Sequence, residues 1–151
     1  MRLVLIVAAL LTACGEPPAA PPPHDSAADP EYAKTVEQLA ALTRQADALF
    51  KNGKPDDASA LIEQGEPLES QVLSVLHPTL AATQAASDLD DLYGRMLLSN
   101  RHFVWAQTLF QKNLARWKYW QPQTDDTARR FKLAESQIAE CERGIMKGPA
   151  K

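Results

Sequence analysis

The residues best suited to chemistry are acids. Two groups of them are closely spaced along the chain: Asp88, Asp90 and Asp91, and Glu63, Glu66 and Glu69. Carboxylate oxygens at such spacing suit a divalent cation. Runs of charge are more often solvated helix faces, and we interpret both groups in that way.

The histidines and glycines do not complete a catalytic or metal motif. His24, His77 and His102 each lack a second His or Cys at metal-ligand spacing. The six glycines form neither a phosphate-binding loop nor a nucleophile elbow. We therefore predict no catalytic residue, no metal site and no cofactor, and we expect that the protein is not an enzyme.

Length and charge narrow the class of protein further. A chain of 151 residues that is 45% hydrophobic suits one domain and excludes a multi-domain enzyme. A net charge of -3 and a pI near 5.6 argue against a general nucleic-acid binder, because such domains are strongly basic. The eleven prolines outnumber the six glycines, and they concentrate near the amino terminus.

The first residues have the layout of a secretory signal peptide, which we assign to residues 1–13. Arg2 supplies a positive charge, and the nine residues from Leu3 to Leu11 are all apolar. Nine helical residues rise about 14 Å, too little to cross a hydrocarbon layer of roughly 30 Å. The segment is therefore predicted to target the chain rather than to span a membrane.

The end of that segment, Leu11-Thr12-Ala13-Cys14, resembles the lipobox of bacterial lipoproteins. The resemblance implies cleavage before Cys14, diacylglycerol on its thiol and an acyl chain such as palmitate on the new amino terminus. Gly15 follows where an aspartate in that family usually signals inner-membrane retention. The resemblance therefore implies an anchor in the outer membrane, facing the periplasm.

Residues 14–30 form the predicted tether, and residues 31–147 form the predicted domain. Six prolines lie between Gly15 and Pro30, and no large apolar side chain accompanies them, so this stretch cannot bury a core. Residues 148–151 are a short tail.

The domain shows helical periodicity throughout and no alternating strand pattern, so we predict an all-α bundle of about five helices. Asp29-Pro30 indicates the first start, Gly53 a stop, and Pro55 a second start. Gly65 and Pro67 are expected to interrupt the second helix, and the sequence leaves open whether Leu68–Leu76 continues it. A third helix follows Pro78, Asn100 is the expected break, a fourth spans about 101–120, and a fifth runs from Thr124 to Gly148-Pro149.

The third and fourth helices carry a tetratricopeptide-like pattern. Tyr93-Gly94 with Leu97, followed by Ala106 and Phe110, is similar to the small-residue spacing of that repeat. Asp90 and Lys118 stand where the family has tryptophan and proline. The resemblance implies a close helical hairpin, with a general bundle as the alternative.

Cys141 is the one thiol left if Cys14 is lipidated. It lies on an apolar helix stripe, so we expect a buried side chain and not a disulfide-linked dimer. The oligomeric state is left open.

Six of the ten aromatic residues lie between Phe103 and Trp120, interleaved with basic residues. Most are expected to be core packing. Exposed aromatics beside cations could instead bind a partner, and we name as the candidate surface Trp105, Arg116, Lys118, Tyr119, Arg129 and Arg130.

Charge is segregated along the chain. Residues 15–91 hold 14 acids and 4 bases, whereas residues 92–151 hold 5 acids and 11 bases. Attraction between the two halves within one molecule is one explanation, and a dipolar surface for a partner is the other.

Together these features predict a lipid-anchored envelope protein that acts by binding, as an adaptor or accessory subunit of a periplasmic or outer-membrane complex. One alternative is a small-ligand carrier or enzyme with a helical cleft, using acids such as Asp88 and Asp91. Another is a structural lipoprotein that contacts peptidoglycan.

Overall fold

Five α-helices account for almost all of residues 29–148, the part of the chain that the computed structural model describes. The helices are α1 (Pro30–Lys51), α2 (Pro55–Leu73), α3 (Leu80–Ser99), α4 (Phe103–Tyr119) and α5 (Asp125–Lys147). Residues 29–148 contain no strand. The prediction of an all-α bundle is confirmed. The predicted signal peptide, lipobox and nearly all of the predicted tether lie outside the described residues.

Local signals set most of the helix ends. The Asp29 carboxylate accepts a hydrogen bond from the backbone N–H of Glu31 at 2.9 Å, and Pro30 begins α1 as predicted. Gly53 has a φ of 72°, which ends the helical path after Asn52. Thr124 caps α5 through its hydroxyl, which accepts a hydrogen bond from the N–H of Thr127.

The expected interruption of α2 at Gly65 and Pro67 is wrong, because α2 continues to Leu73. Ile62, on one side of the proline, and Val72, on the other, are both buried in the same core. Continuous burial of one face offsets the local cost of the proline, which is about 3 kcal/mol.

Helix α3 is the central element of the domain. It packs against α1, α2 and α4, and α5 packs against α4. One apolar cluster joins α1, α2 and α3 around Leu39, Ile62 and Leu89. A second, smaller cluster joins α3, α4 and α5 around Phe110 and Cys141.

The close approach of α3 and α4 depends on Gly94. A Cβ atom at this position would lie 2.5 Å from Cε1 of Phe110, whose ring is fully buried. A glycine therefore lets the Phe110 ring lie directly on the α3 backbone. The turn between the two helices holds Arg101 at a φ of 65°, and the next N–H, of His102, bonds to the Leu97 carbonyl at 2.8 Å.

Candidate functional site

A buried ion cluster joins α2, α3 and α4. Arg116 donates hydrogen bonds to a carboxylate oxygen of Glu69 at 2.6 Å and of Asp90 at 2.5 Å. Lys112 donates to the same two acids, at 2.9 Å to Asp90 and 3.4 Å to Glu69. The side chains of Asp90, Glu69 and Arg116 are 4%, 11% and 14% exposed. The interpretation of Asp90 and Glu69 as solvated residues is therefore wrong.

Neutral polar side chains of α4 link this ion cluster to the α3 helix. Asn113 accepts a third hydrogen bond from Arg116 at 2.8 Å and donates one to the Ser87 carbonyl at 2.9 Å. The Trp117 indole N–H donates to the Ser87 hydroxyl at 2.9 Å. Within residues 29–148, every fully buried polar side-chain atom has a hydrogen-bond partner. Asn113 and Trp117 of α4 thus bond to Ser87 of α3 and hold the two helices together.

Burial raises the pKa of Glu69, and the negative charge of Asp90 raises it further, against the lowering effect of Lys112 and Arg116. Because the pKa is raised in the folded state, the contribution of this carboxyl to the stability of the domain is present at low pH. That contribution is lost as pH rises from the ordinary glutamate range through the folded pKa. Lys112 and Arg116, both within hydrogen-bond distance of Glu69, oppose that loss. The two negative charges of the ion cluster are thus compensated only while both cations are present.

A second group of charges joins α5 to α3. Asp126 accepts hydrogen bonds from Arg129 and Arg130, and Arg130 also donates to Asp88 at 2.6 Å. Hydrogen bonds from the two arginines lower the pKa of Asp126 to about 2. Because this pKa lies below the ordinary aspartate value, its contribution to stability is present above about pH 4 and is lost as pH falls toward 2.

A third group involves Asp91, which accepts hydrogen bonds from Arg95 at 2.8 Å and from the Gln137 amide at 2.5 Å. Arg95 also donates to Asp47 of α1 at 2.9 Å. Asp88 and Asp91, the acids considered for a catalytic cleft, are thus both engaged by arginines. No cluster of potential metal ligands occurs among the described residues.

The structure separates the six residues of the candidate partner surface. Arg116 and Arg130 are held inside the ion groups and are not free surface cations. Arg129 is mostly exposed beside Asp126. Lys118 lies 5.4 Å from the ring centroid of Tyr119, which is 75% exposed.

Trp105 has a different environment, since it is 70% exposed and lies between two open cavities. One cavity, of about 580 Å³, lies beside Phe103, Val104 and Ile145. The other, of about 540 Å³, lies beside Tyr93, Leu97 and Leu109. Trp105 is thus the largest exposed apolar side chain of a surface that continues on both sides of it.

The second of these cavities leads into a longer groove. An adjoining cavity of about 270 Å³ shares Tyr93 and Leu109 with it. Together they form what we call the docking groove. Its floor is α3, and α4 from Trp105 to Lys112 forms one wall along its length. The other wall, α2 from Ile62 to Ser70, lines only the end formed by the 270 Å³ cavity. The groove exists because α2 and α4 both pack on α3 and not closely on each other.

The two ends of the docking groove differ in chemistry. The end at Trp105 is mainly apolar, with Tyr93, Leu97 and Leu109. The other end contains Glu66 and the Glu69–Asp90–Lys112 part of the ion cluster.

Comparison with known proteins adds no relative. No protein-family model matches the chain, and no curated protein or solved structure is significantly similar to it. The docking groove therefore has to be understood from its own residues.

Two further findings concern the membrane and the thiol. No helix within residues 29–148 is long and apolar enough to cross a membrane.

The expectation that Cys141 is buried is confirmed, and burial raises the pKa of its thiol.

Proposed function

We propose that this chain is a lipid-anchored cell-envelope protein whose helical domain acts by binding a protein partner, as an adaptor or accessory subunit of a periplasmic or outer-membrane complex. The anchor is Cys14, in the lipobox-like sequence Leu11-Thr12-Ala13-Cys14, and the proline-rich tether separates it from the domain. Attached lipid chains contribute about 0.8 kcal/mol per buried methylene, which is sufficient for stable anchoring by several chains.

The observation that supports binding is the exposure of Trp105 at the mouth of the docking groove. Single exposed apolar residues are common on protein surfaces, but Trp105 is continuous with Val104, which is 62% exposed, and with two cavities. Tryptophan is one of the three side chains, with tyrosine and arginine, that are enriched at the energetic centre of protein interfaces.

The polar groups favour a structural role over catalysis. Asp88 is bound by Arg130 of α5 and Asp90 by Lys112 of α4. Asp91 is bound by Arg95 of its own helix and by the Gln137 amide of α5. Trp117 is 1% exposed and packs edge to face with Trp120 at 6.3 Å, instead of lining a ligand cavity. The docking groove combines a concave shape with apolar side chains at its Trp105 end.

Replacing Cys14 by serine tests the anchor. We expect the Cys14→Ser chain to leave the membrane fraction, because a hydroxyl cannot accept the lipid through a thioether. The measurement is separation of soluble from membrane fractions, followed by immunodetection, with Cys141→Ser as the matched control that keeps Cys14. A Cys14→Ser chain that stays with the membranes would contradict the anchoring proposal.

Replacing Trp105 by alanine tests the binding surface. We expect Trp105→Ala to change the free energy of unfolding by less than about 0.5 kcal/mol, since the side chain is mostly exposed. Capture of a partner by crosslinking in intact cells should fall at least about tenfold, the effect of a hot-spot residue. Leu76→Ala is the matched control, because Leu76 is an exposed apolar side chain that lies outside the groove. Unchanged capture by Trp105→Ala would remove this site.

A further inference from the structure

We propose that the docking groove binds a cationic segment of a partner protein that carries an apolar anchor residue, the anchor at the Trp105 end and the cations along α2. This inference rests on the proposed binding function and specifies the chemistry of the partner. It is carried by the shape of the groove, by its apolar end and by uncompensated negative charge on one wall.

The negative charge comes from α2. This helix contains five acids, Asp56, Asp57, Glu63, Glu66 and Glu69, and no lysine or arginine. Glu69 is neutralised by Lys112 and Arg116. Within residues 29–148, none of the other four forms a salt bridge.

Two of these four acids lie at the groove or one helical turn from it. Glu66 lines the groove directly, and Glu63, one turn earlier on the same helix, is also exposed. The single cation among the residues lining that end, Lys112, already binds Asp90 and Glu69. An approaching segment therefore meets exposed carboxylates on the α2 wall, which favour lysine or arginine and repel acids.

The apolar end of the docking groove provides the site for the anchor residue. Tyr93, Leu97 and Leu109 form a cavity beside Trp105 that has little polar lining, so an apolar side chain placed there is removed from water. Burial of one leucine-sized side chain accounts for tenfold or more in affinity.

The lining suits one segment of chain and not a whole domain face. The floor is the single helix α3, α4 is one wall, and α2 is the other wall at the ion-cluster end. A helix or extended peptide laid along this floor presents side chains at regular intervals to both ends of the groove.

The experiment uses the full chain, purified from cells and reconstituted in zwitterionic vesicles, and three labelled synthetic peptides of about twelve residues. One peptide alternates leucine anchors with lysines, the second replaces each lysine by glutamate, and the third replaces each leucine by serine. Fluorescence anisotropy measures the dissociation constant of each.

We expect the leucine–lysine peptide to bind at least about tenfold more tightly than either of the others, and more weakly as salt increases. The double variant Glu63→Lys, Glu66→Lys should lose the preference for lysine over glutamate. Trp105→Ala should weaken binding of the leucine peptides about tenfold. Glu135→Lys, a reversal at an exposed acid of α5 outside the groove, is the matched control and should change nothing.

Equal binding of the lysine and glutamate peptides, or a preference that survives the double variant, overturns this inference but leaves binding through the groove intact. Failure of all three peptides to bind also overturns it. If in that case Trp105→Ala lowers the mass of the assembly that the chain forms in detergent solution, the occupant is a second copy of this chain. Loss of partner capture in cells tests the proposed function separately, since that assay does not depend on the peptides.

Discussion

Replacing Arg116 by methionine is expected to lower the free energy of unfolding by about 3 kcal/mol, the cost of leaving buried charge without its partner. The side chain of Arg116 is 14% exposed and bonds to both Glu69 and Asp90. Methionine keeps most of the volume but none of the donors, so Lys112 alone would face two buried carboxylates. Chemical denaturation monitored by circular dichroism measures the change.

Arg129→Met is the matched control. Arg129 also pairs with an aspartate, Asp126, but its side chain is 75% exposed. Exposed ion pairs contribute little, so we expect a change within about 0.5 kcal/mol. Equal effects of the two substitutions would show that the ion cluster of Arg116 is not a buried stabilising element.

A compensated variant tests whether unpaired charge is the cause of this loss of stability. Adding Glu69→Gln and Asp90→Asn to Arg116→Met removes the charges that the first substitution leaves unpaired. We expect the triple variant to recover part of the lost stability, because uncompensated charge costs more than a neutral amide at the same site. A triple variant that is less stable than Arg116→Met alone would contradict this assignment of the cost.

Gly94→Ala is expected to destabilise the domain by about 2 kcal/mol, although alanine is the better helix former. The new Cβ would lie 2.5 and 2.7 Å from two ring atoms of Phe110, a fully buried side chain. Separation of α4 from α3 would follow, and the docking groove that these helices form would change shape. Thermal and chemical unfolding measure the loss.

Gly144→Ala provides the matched control. Its Cβ would approach the Phe103 ring equally closely, at 2.5 Å, but Phe103 is only partly buried and can turn toward solvent. We expect a clearly smaller loss there. Combining Gly94→Ala with Phe110→Leu should cost less than the sum of the two single effects, because the smaller side chain relieves the overlap. Additive effects would contradict the contact.

The helices themselves were predictable because their signals are local. Asp29-Pro30, Asn52-Gly53, Asn100 and Thr124 each act within a few residues, and each lies at the helix end that it predicts. The exception is α2, where local signals at Gly65 and Pro67 are outweighed by burial on α1 and α3. Tertiary packing of this kind leaves no trace in a short sequence window.

The buried acids were not predictable from their own neighbourhood. Asp90 and Glu69 are in acid-rich stretches, and the cations that neutralise them come from α4, up to 47 residues away. The signal that bears on them is the charge segregation of the whole chain. Arg116 with Glu69, Arg130 with Asp88 and Arg95 with Asp47 all join the basic half to the acidic half, in agreement with intramolecular attraction.

One part of the groove was predictable from the sequence and the rest was not. Trp105 belongs to the predicted partner surface, and it is exposed. The α4 stripe Trp105, Leu109, Lys112 and Arg116, at steps of four, three and four, indicates one helix face and was the available signal. Glu66 and Tyr93 join it only because α2 and α4 flank α3. The tetratricopeptide resemblance stays a prediction.

The central claim, that the domain works by binding a partner in the docking groove, is tested most directly by position-specific photo-crosslinking in intact cells. The photoreactive residue is placed at Thr108 in the groove, or at Lys132, an exposed residue of α5 outside it. We predict one discrete protein adduct from Thr108, its loss when Trp105→Ala is added, and no such adduct from Lys132. Equal adducts from both positions, or none from Thr108, would contradict the claim.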